Sequence, residues 1–164
     1  IVEFPGVLSR GGAEQKIRKY LIDNNYIDTV IQLPPDLFFG TTIVTCIIVL
    51  KRSKKDNKTL FIDASTEFVR GGNKNKLSEE NRDKILTAFK KRVDIEHFAK
   101  LVSNKTIEEN EYNIAISTYV TQKDTREVID IKKLNAEIKG IVARQNELRT
   151  AIDEIVADLE GGRS

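Results

Sequence analysis

The stretch that most constrains the fold of this chain runs from Tyr26 to Leu50, with the sequence YIDTVIQLPPDLFFGTTIVTCIIVL. Two β-type runs, Ile27–Leu33 and Thr41–Leu50, flank a loop that contains two prolines, two phenylalanines and a glycine. The second run is almost wholly apolar and rich in Ile, Val and Thr, which is typical of a strand buried on both faces. Such a strand needs neighbouring strands and helices to cover it. Because the sequence after Ser65 offers few further strands, we expect much of the covering structure to lie before residue 1 or in a partner.

The segment before this stretch predicts a strand–helix–strand unit. Ile1–Leu8 is a β-type run that we expect to end or bend at Pro5, because proline removes a ladder donor. Ala13–Asn24 predicts a helix. We expect its buried face to hold Ile17, Tyr20 and Leu21 and its outward face Glu14, Lys16, Arg18 and Lys19. The strands on either side of this helix are parallel by default, and Thr41–Leu50 is then an antiparallel partner.

The segment after the hairpin is more polar. Lys51–Lys58 is a basic turn, which we interpret as a solvated loop tip, with contact to a phosphate backbone as the alternative. Thr59–Ser65 predicts a further strand at the sheet edge. The polar, glycine-containing segment Thr66–Lys76 predicts a domain boundary.

The connector beyond this boundary has two predicted helix starts. Ser78 is a predicted N-cap for a helix that ends near Lys91. The predicted buried residues of this helix are Ile85, Leu86 and Phe89. Ser103 is a second predicted N-cap, and we expect Tyr112–Val120 to be extended and to dock on the folded body.

The last segment has the most regular periodicity in the chain. Its seam residues alternate by three and four positions, which predicts a coiled-coil seam over about four heptads. They are Ile131, Leu134, Ile138, Ile141, Gln145, Leu148, Ile152, Ile155 and Leu159. We favour an interaction helix over one packed on its own domain, with partner-binding residues Ile138, Ile141, Gln145, Leu148, Ile152 and Ile155. The sequence thus predicts three segments: a sheet-containing part over 1–68, a mixed connector that packs on it over 69–125, and a long interaction helix over 126–164.

Composition excludes several function classes. The net charge of +2 is too balanced to indicate nucleic-acid binding by itself. A single cysteine permits no disulfide framework. No apolar run approaches the roughly 20 residues that span a bilayer, so we expect a cytoplasmic protein without a membrane segment. The chain contains no Met, and we expect it to be a piece of a longer protein.

No catalytic constellation stands alone in the sequence. His97 is the only histidine, so it cannot form a His-based metal cluster, and we interpret it as a surface residue. Cys46 lies inside the apolar run and is interpreted as a packing residue. The run from Leu33 to Asp36 has the prolines of the Asn/Asp-Pro-Pro-aromatic tetrad of amino-methyltransferases without its amide or its ring, so it predicts a turn. Gly11-Gly12 is interpreted as a lead-in loop, with anion binding as the alternative.

Four separated blocks carry a resemblance to a known family: PGVLSRGGAEQKIRKYLIDN, VIQLPPDLFFGTTIVTCIIVLKR, LFIDAS and YNIAISTYV. The chain resembles the C-terminal half of the M (modification) subunit of type I restriction–modification systems, which are adenine-specific DNA methyltransferases. The resemblance implies an α/β fold, the C-terminal part of a class I (Rossmann-like) methyltransferase sheet with an antiparallel hairpin strand, followed by a helical tail. Ile1–Leu8 would be its fifth strand, Ile27–Leu33 the sixth, and Thr41–Leu50 the seventh, inserted between them.

The same resemblance implies a function for the parent protein. It would transfer a methyl group from S-adenosylmethionine to the exocyclic amine of an adenine flipped out of the duplex. In the family, the glycine-rich cofactor loop and the catalytic tetrad lie upstream of this region, so we expect the fragment alone to be inactive. The implied partners are the S (specificity) subunit, on which the tail packs, the R (restriction) subunit, a second M subunit and double-stranded DNA.

One loop is the candidate contribution of this chain to the base pocket. Phe38, Phe39 and Gly40 join the sixth and seventh strands, and in related methyltransferases this loop faces the target base. A ring there would stack on the adenine, a contact worth about 1–3 kcal/mol. The alternative is that both rings plug the end of the sheet.

Two further functions stay open at the level of the sequence. A non-enzymatic coiled-coil assembly module would use only the tail and would self-associate through it. A nucleotide-binding protein of another class would use Gly11-Gly12 and would bind nucleotide measurably.

Overall fold

The computed structural model describes residues 1–123 and 131–161. The chain divides into two compact units, Ile1–Lys123 and Asp124–Ser164, and each is described by itself. Of the predicted tail, residues 126–130 and 162–164 lie outside the described residues. None of the helices in the described part of the chain combines the length and the apolar character that a membrane-spanning helix needs.

The first unit is built on a mixed five-stranded sheet with a separate two-stranded hairpin. The strands of the larger sheet are β1 (Val2–Glu3), β2 (Ile27–Gln32), β3 (Cys46–Leu50), β4 (Lys58–Asp63) and β7 (Ala99–Ser103). Their order is β1-β3-β2-β4-β7, and the hairpin consists of β5 (Val69–Gly71) and β6 (Lys74–Lys76). Residues 69–123 therefore contribute to the same compact unit as the strands before them. The division of this chain into a part of the catalytic domain, 1–68, and a connector packed on it, 69–125, stays a prediction.

The antiparallel strand lies where it was predicted, between β1 and β2. It begins at Cys46 and not at Thr41, because residues 41–45 belong to the preceding loop. β4 runs parallel to β2. The prediction that β4 lies at the sheet edge is wrong, since β7 pairs with its other side.

Four helices of the first unit cover the two faces of the sheet. They are α1 (Ala13–Asp23), α2 (Glu79–Lys91), α3 (Asn104–Glu109) and α4 (Ile116–Tyr119). One core cluster joins Ile22 of α1, Ile107 of α3 and Ile116 of α4 to Val30 and Phe61 of the sheet. A second cluster packs residues of α2 on the opposite face. The sequence after Ser65 thus supplies one strand of the larger sheet, the two strands of the hairpin and three helices, more than was expected.

The faces of α1 and α2 differ from the prediction. Ile17 and Tyr20 are 59% and 60% exposed, whereas Arg18 is only 4% exposed and shares the buried face with Ile22. In α2 the predicted core residue Leu86 is exposed at 49%. Ile85 is buried as predicted, Phe89 is partly buried, and Ala88 is buried although it was not predicted to be.

The predicted N-caps are confirmed. Ser78 forms a capping box with Asn81 at the start of α2. Ser103 accepts a hydrogen bond from the backbone N–H of Thr106 at the start of α3. The segment Tyr112–Val120 docks on the core as expected, but it contains the short helix α4 and is not extended throughout.

The second unit contains one long helix, α5 (Ile131–Gly161), with 31 residues. At about 1.5 Å per residue its length is roughly 46 Å. The tail is therefore helical over the whole predicted seam, while its coiled-coil pairing stays a prediction.

Candidate functional site

The β2–β3 loop, residues 33–45, lies at the carboxyl end of β2. Because β2 and β4 are parallel, their carboxyl ends lie at the same edge of the sheet. In open α/β sheets this edge is where ligands bind. The loop thus occupies the part of the fold that a substrate pocket would use.

Two aromatic rings lie at the tip of this loop. Phe39 is 100% exposed and Phe38 is 40% exposed. Burying a phenylalanine side chain stabilises a protein by about 1.5–3 kcal/mol, and Phe39 gains none of this within the described residues. Gly40 has φ +78°, a backbone conformation that side chains disfavour, and an added Cβ would meet no other atom. The predicted site residues are therefore neighbours on one exposed turn, and Phe39 does not plug the sheet.

The base of the turn is held by ion pairs. Asp36 adopts a left-handed backbone conformation with φ 56°. Its carboxylate accepts hydrogen bonds from Lys74 Nζ at 2.6 Å and from Arg70 Nη1 at 2.9 Å. The hydrogen bond from Lys74 and that from Arg70 hold the pKa of Asp36 below its usual range. The carboxylate is therefore charged at neutral pH.

Backbone groups of the loop are also held by the β5–β6 hairpin. Asn75 is 5% exposed, and its amide group donates to Pro35 O at 2.8 Å. The backbone N–H of Asn75 donates to Asp36 O at 3.0 Å. Lys74 Nζ also donates to Thr41 O, at 3.1 Å. The hairpin thus contacts the loop on both sides of its aromatic tip.

The sequence prediction missed this contact, because it placed a domain boundary in the segment that forms the hairpin. The two strands are polar and short, so they lack the apolar alternation that identifies a strand. One signal was present: Gly72-Asn73 separates the two strands, and such a pair favours a two-residue hairpin turn. Gly72 has φ +68°, as such a turn requires.

Asp63 is a buried carboxylate at the same edge of the sheet, and both of its oxygens accept hydrogen bonds from the fold. Asp63 ends β4 and is 5% exposed. One of its oxygens accepts from the backbone N–H of Ser65 at 3.0 Å, and the other accepts from Gln122 Nε2 at 3.0 Å. Both acceptor atoms serve the fold, so we assign this carboxylate no catalytic role.

Within the described residues, the structure does not bring the other candidate residues together into a reactive site. The run from Leu33 to Asp36 enters a turn, as predicted. Cys46 is fully buried, and burial raises the pKa of its thiol to about 11, which fits a packing residue. His97 is an exposed residue whose Nδ1 lies 2.9 Å from Thr121 O. Gly11-Gly12 leads directly into α1. Within the described residues, no cluster of His, Cys, Asp or Glu could hold a metal ion.

The predicted partner-binding residues of the tail lie along α5. Their apolar members are exposed, from Ile138 at 49% to Ile141 at 67%. Leu148, Ile152 and Ile155 fall between these values. The polar seam residue Gln145 is exposed as well.

Comparison with known proteins places this fold in a family. The family described as N-6 DNA Methylase matches residues 1–128. The chain belongs to this N-6 DNA methylase family. It is 45% identical over 161 residues to the type I restriction enzyme MpnII methylase subunit of Mycoplasma pneumoniae. The aligned region covers 98% of this chain and 30% of that protein. The chain is 36% identical over 167 residues to the MjaVII methylase subunit of Methanocaldococcus jannaschii, covering 98% of this chain and 28% of the relative.

A solved structure of an N-6 DNA methylase relative shows the same fold. The type I restriction-modification system methyltransferase subunit from Streptococcus thermophilus matches with a TM-score of 0.72 at 48% identity. The match covers 73% of this chain and 26% of that one. The mixed sheet with its helices is thus structurally like a type I methyltransferase subunit. The chain spans less than a third of the length of the curated relatives described above.

Proposed function

We propose that this chain is the C-terminal part of a type I modification subunit that methylates the exocyclic amine of adenine in DNA. The identity of 45% over nearly the whole chain, with a type I methylase subunit, carries the proposal. The strand order supports it, because an antiparallel strand between two parallel ones matches the end of a class I methyltransferase sheet. We infer that the parent acts on DNA in the cytoplasm.

Within that enzyme, the aromatic tip of the β2–β3 loop forms one wall of the pocket for the flipped adenine. Phe38, Phe39 and Gly40 are the residues of this wall. An exposed ring at the carboxyl edge of the sheet can stack on a base, since every base presents a π-face. Phe39 is the stronger candidate because its ring is completely exposed.

The methyl donor of the parent is S-adenosylmethionine, as its family implies. The residues described for this chain do not fit a site for it. Gly11-Gly12 precedes a helix without following a strand, and the pair Gly71-Gly72 consists of the last residue of β5 and the first residue of the hairpin turn. This chain therefore supplies neither the cofactor loop nor the catalytic tetrad, and by itself it transfers no methyl group.

The tail forms the assembly surface of the parent. The exposed seam of α5 packs on helices of the specificity subunit, and the complex further contains a second modification subunit, the restriction subunit and double-stranded DNA. Sequence similarity to the Mycoplasma pneumoniae methylase subunit extends over 98% of the chain and so includes this helix, which supports a shared role.

The experiment on the pocket wall uses the complete methyltransferase with its specificity subunit. We expect Phe39→Ala to lower kcat/KM for methyl transfer by about 5- to 150-fold, the equivalent of one base–aromatic stack. The double variant Phe38→Ala with Phe39→Ala covers stacking by either ring. Tyr20→Ala is the matched control, since it removes an exposed ring on α1 outside the loop. Activity of the double variant within twofold of wild type would refute the pocket wall.

The second candidate function is a non-enzymatic assembly module that works only through α5. The long exposed seam is the observation that favours it. The two functions separate on the complete protein, because an assembly module binds its partner without methylating DNA.

A further inference from the structure

One side chain joins both ends of the aromatic turn. Lys74 Nζ lies 2.6 Å from a carboxylate oxygen of Asp36 and 3.1 Å from Thr41 O. These two acceptors flank the segment that carries Phe38 and Phe39. A single ammonium group therefore closes the turn at its base.

Two other hairpin residues, Arg70 and Asn75, hold the loop residue Asp36 that Lys74 contacts. Asn75 is nearly fully buried and contacts Pro35 through its side chain and Asp36 through its backbone N–H. Arg70 Nη1 donates to Asp36 Oδ2 at 2.9 Å and to Asn75 Oδ1 at 3.0 Å. The contacts thus form one connected network between the hairpin and the loop.

We propose that the β5–β6 hairpin is the positioning element of the base pocket and that Lys74 is its positioning residue, holding the aromatic turn where a flipped adenine stacks. This inference rests on the proposed function, because it assigns a task to the hairpin in that same site. Lys74 acts through the rings and does not touch the base.

The energetics of the turn explain why such an element is needed. A fully exposed phenylalanine gains no packing energy that would hold it in one place. Ordering a loop costs conformational entropy, of about 1–2 kcal/mol for each residue fixed. The ion pairs and hydrogen bonds at the base of the turn offset part of this cost before the base arrives, so less of the stacking energy goes into ordering the loop.

The carboxylate of Asp36 also stays charged at neutral pH. Its hydrogen bonds lower the pKa of Asp36, so the carboxylate loses its charge only in acid. A lowered pKa gives stabilisation that is present above the ordinary carboxylate pKa and lost as the pH falls through the folded-state value. The Lys74–Asp36 pair is therefore intact at neutral pH.

The test compares variants of Lys74 in the complete methyltransferase with its specificity subunit. Lys74→Met keeps the aliphatic stem and removes both contacts. We expect it to lower kcat/KM for methyl transfer by about 5- to 30-fold, because a displaced positioning group weakens the productive geometry. We also expect less fluorescence increase from 2-aminopurine placed at the target adenine, since fewer bases are held out of the stack. Lys74→Arg keeps the charge and should restore most of the activity.

A double-mutant cycle separates positioning from general stability. If Lys74 acts through the rings, Lys74→Met should change kcat/KM by less than twofold when Phe38 and Phe39 are both alanine. Lys100→Met is the matched control, because Lys100 pairs with Asp94 away from the loop. The melting temperature of each variant identifies any that fail to fold, and in that case Asp36→Asn provides the same test.

The outcomes distinguish this inference from the function on which it rests. Full activity in Lys74→Met, with strong loss in the ring variants, would overturn the positioning role and leave the pocket wall standing. An equal loss with and without the rings would also overturn it, since Lys74 would then act elsewhere. If the Phe38 and Phe39 variants keep the wild-type kcat/KM, both the pocket wall and the positioning role are wrong.

Discussion

Arg18 shows how one residue joins three separate segments of the first unit. Its guanidinium donates to Tyr112 O at 2.8 Å, to Val7 O at 2.8 Å and to Arg10 O at 2.7 Å. The side chain is 4% exposed, and this burial lowers its pKa. The residue thus fastens α1 both to the turn before it and to the docked segment that begins at Tyr112.

We expect Arg18→Met to lower the free energy of unfolding by about 2–4 kcal/mol, because three carbonyl groups, one of them buried, lose charge-assisted hydrogen bonds from the guanidinium. Urea unfolding of this chain, followed by circular dichroism, measures the effect. Lys16→Met is the control, since Lys16 is exposed on the same helix. A loss below about 0.5 kcal/mol, the range of ordinary surface substitutions, would show that these hydrogen bonds contribute little.

Arg18 is also a residue that the sequence placed wrongly. Periodicity assigned it to the outward face because a charged side chain is seldom fully buried. Its acceptor at Tyr112 lies 94 residues further along the chain. A contact of that separation leaves no local pattern, so the buried face of α1 could not be predicted from the helix alone.

Among the strands, apolar content decided which ones could be predicted from the sequence. The strand at Cys46–Leu50 and its antiparallel pairing with β2 followed from one long apolar run, whereas its pairing with β1 followed from the family resemblance. β7 was missed because Ala99–Ser103 is short, with two polar residues among five. The β5–β6 hairpin was missed for the same reason, since its stability comes from polar contacts with the loop. The sequence named the residues of the aromatic tip but left open whether its rings are exposed, and it did not predict the element that holds the tip.

The tail helix carries the prediction on assembly. We expect Leu148→Asp to abolish binding of the complete protein to its specificity subunit, because a carboxylate in the middle of a seam loses its solvation on packing. Co-purification of the two subunits is the measurement. The sheet should stay folded, since α5 forms a separate compact unit.

The control for this variant lies on the other side of the same helix. Ala143→Asp adds the same charge two positions from the seam residues Ile141 and Gln145 and should leave the subunits bound. Undiminished co-purification of Leu148→Asp would show that the seam is not the assembly surface. Loss with both variants would instead indicate a weakened helix.

At the scale of the whole molecule, the free edge of the sheet fits a part of a larger domain. Among the described strands, β1 pairs only with β3 and ends the sheet order. Its side chains are exposed, including Val2 at 54%, and Phe4 beside it is exposed at 53%. We infer that the parent sheet continues beyond this edge, toward the strands that carry the cofactor and catalytic motifs in the family.

The decisive experiment measures the methylation of DNA that has been incubated with S-adenosylmethionine, the complete protein and its specificity subunit. We expect N6-methyladenine, detected by mass spectrometry of the digested DNA, and none with this chain alone. DNA without N6-methyladenine, or with the methyl group on cytosine, would contradict the assignment of this chain to an adenine methyltransferase.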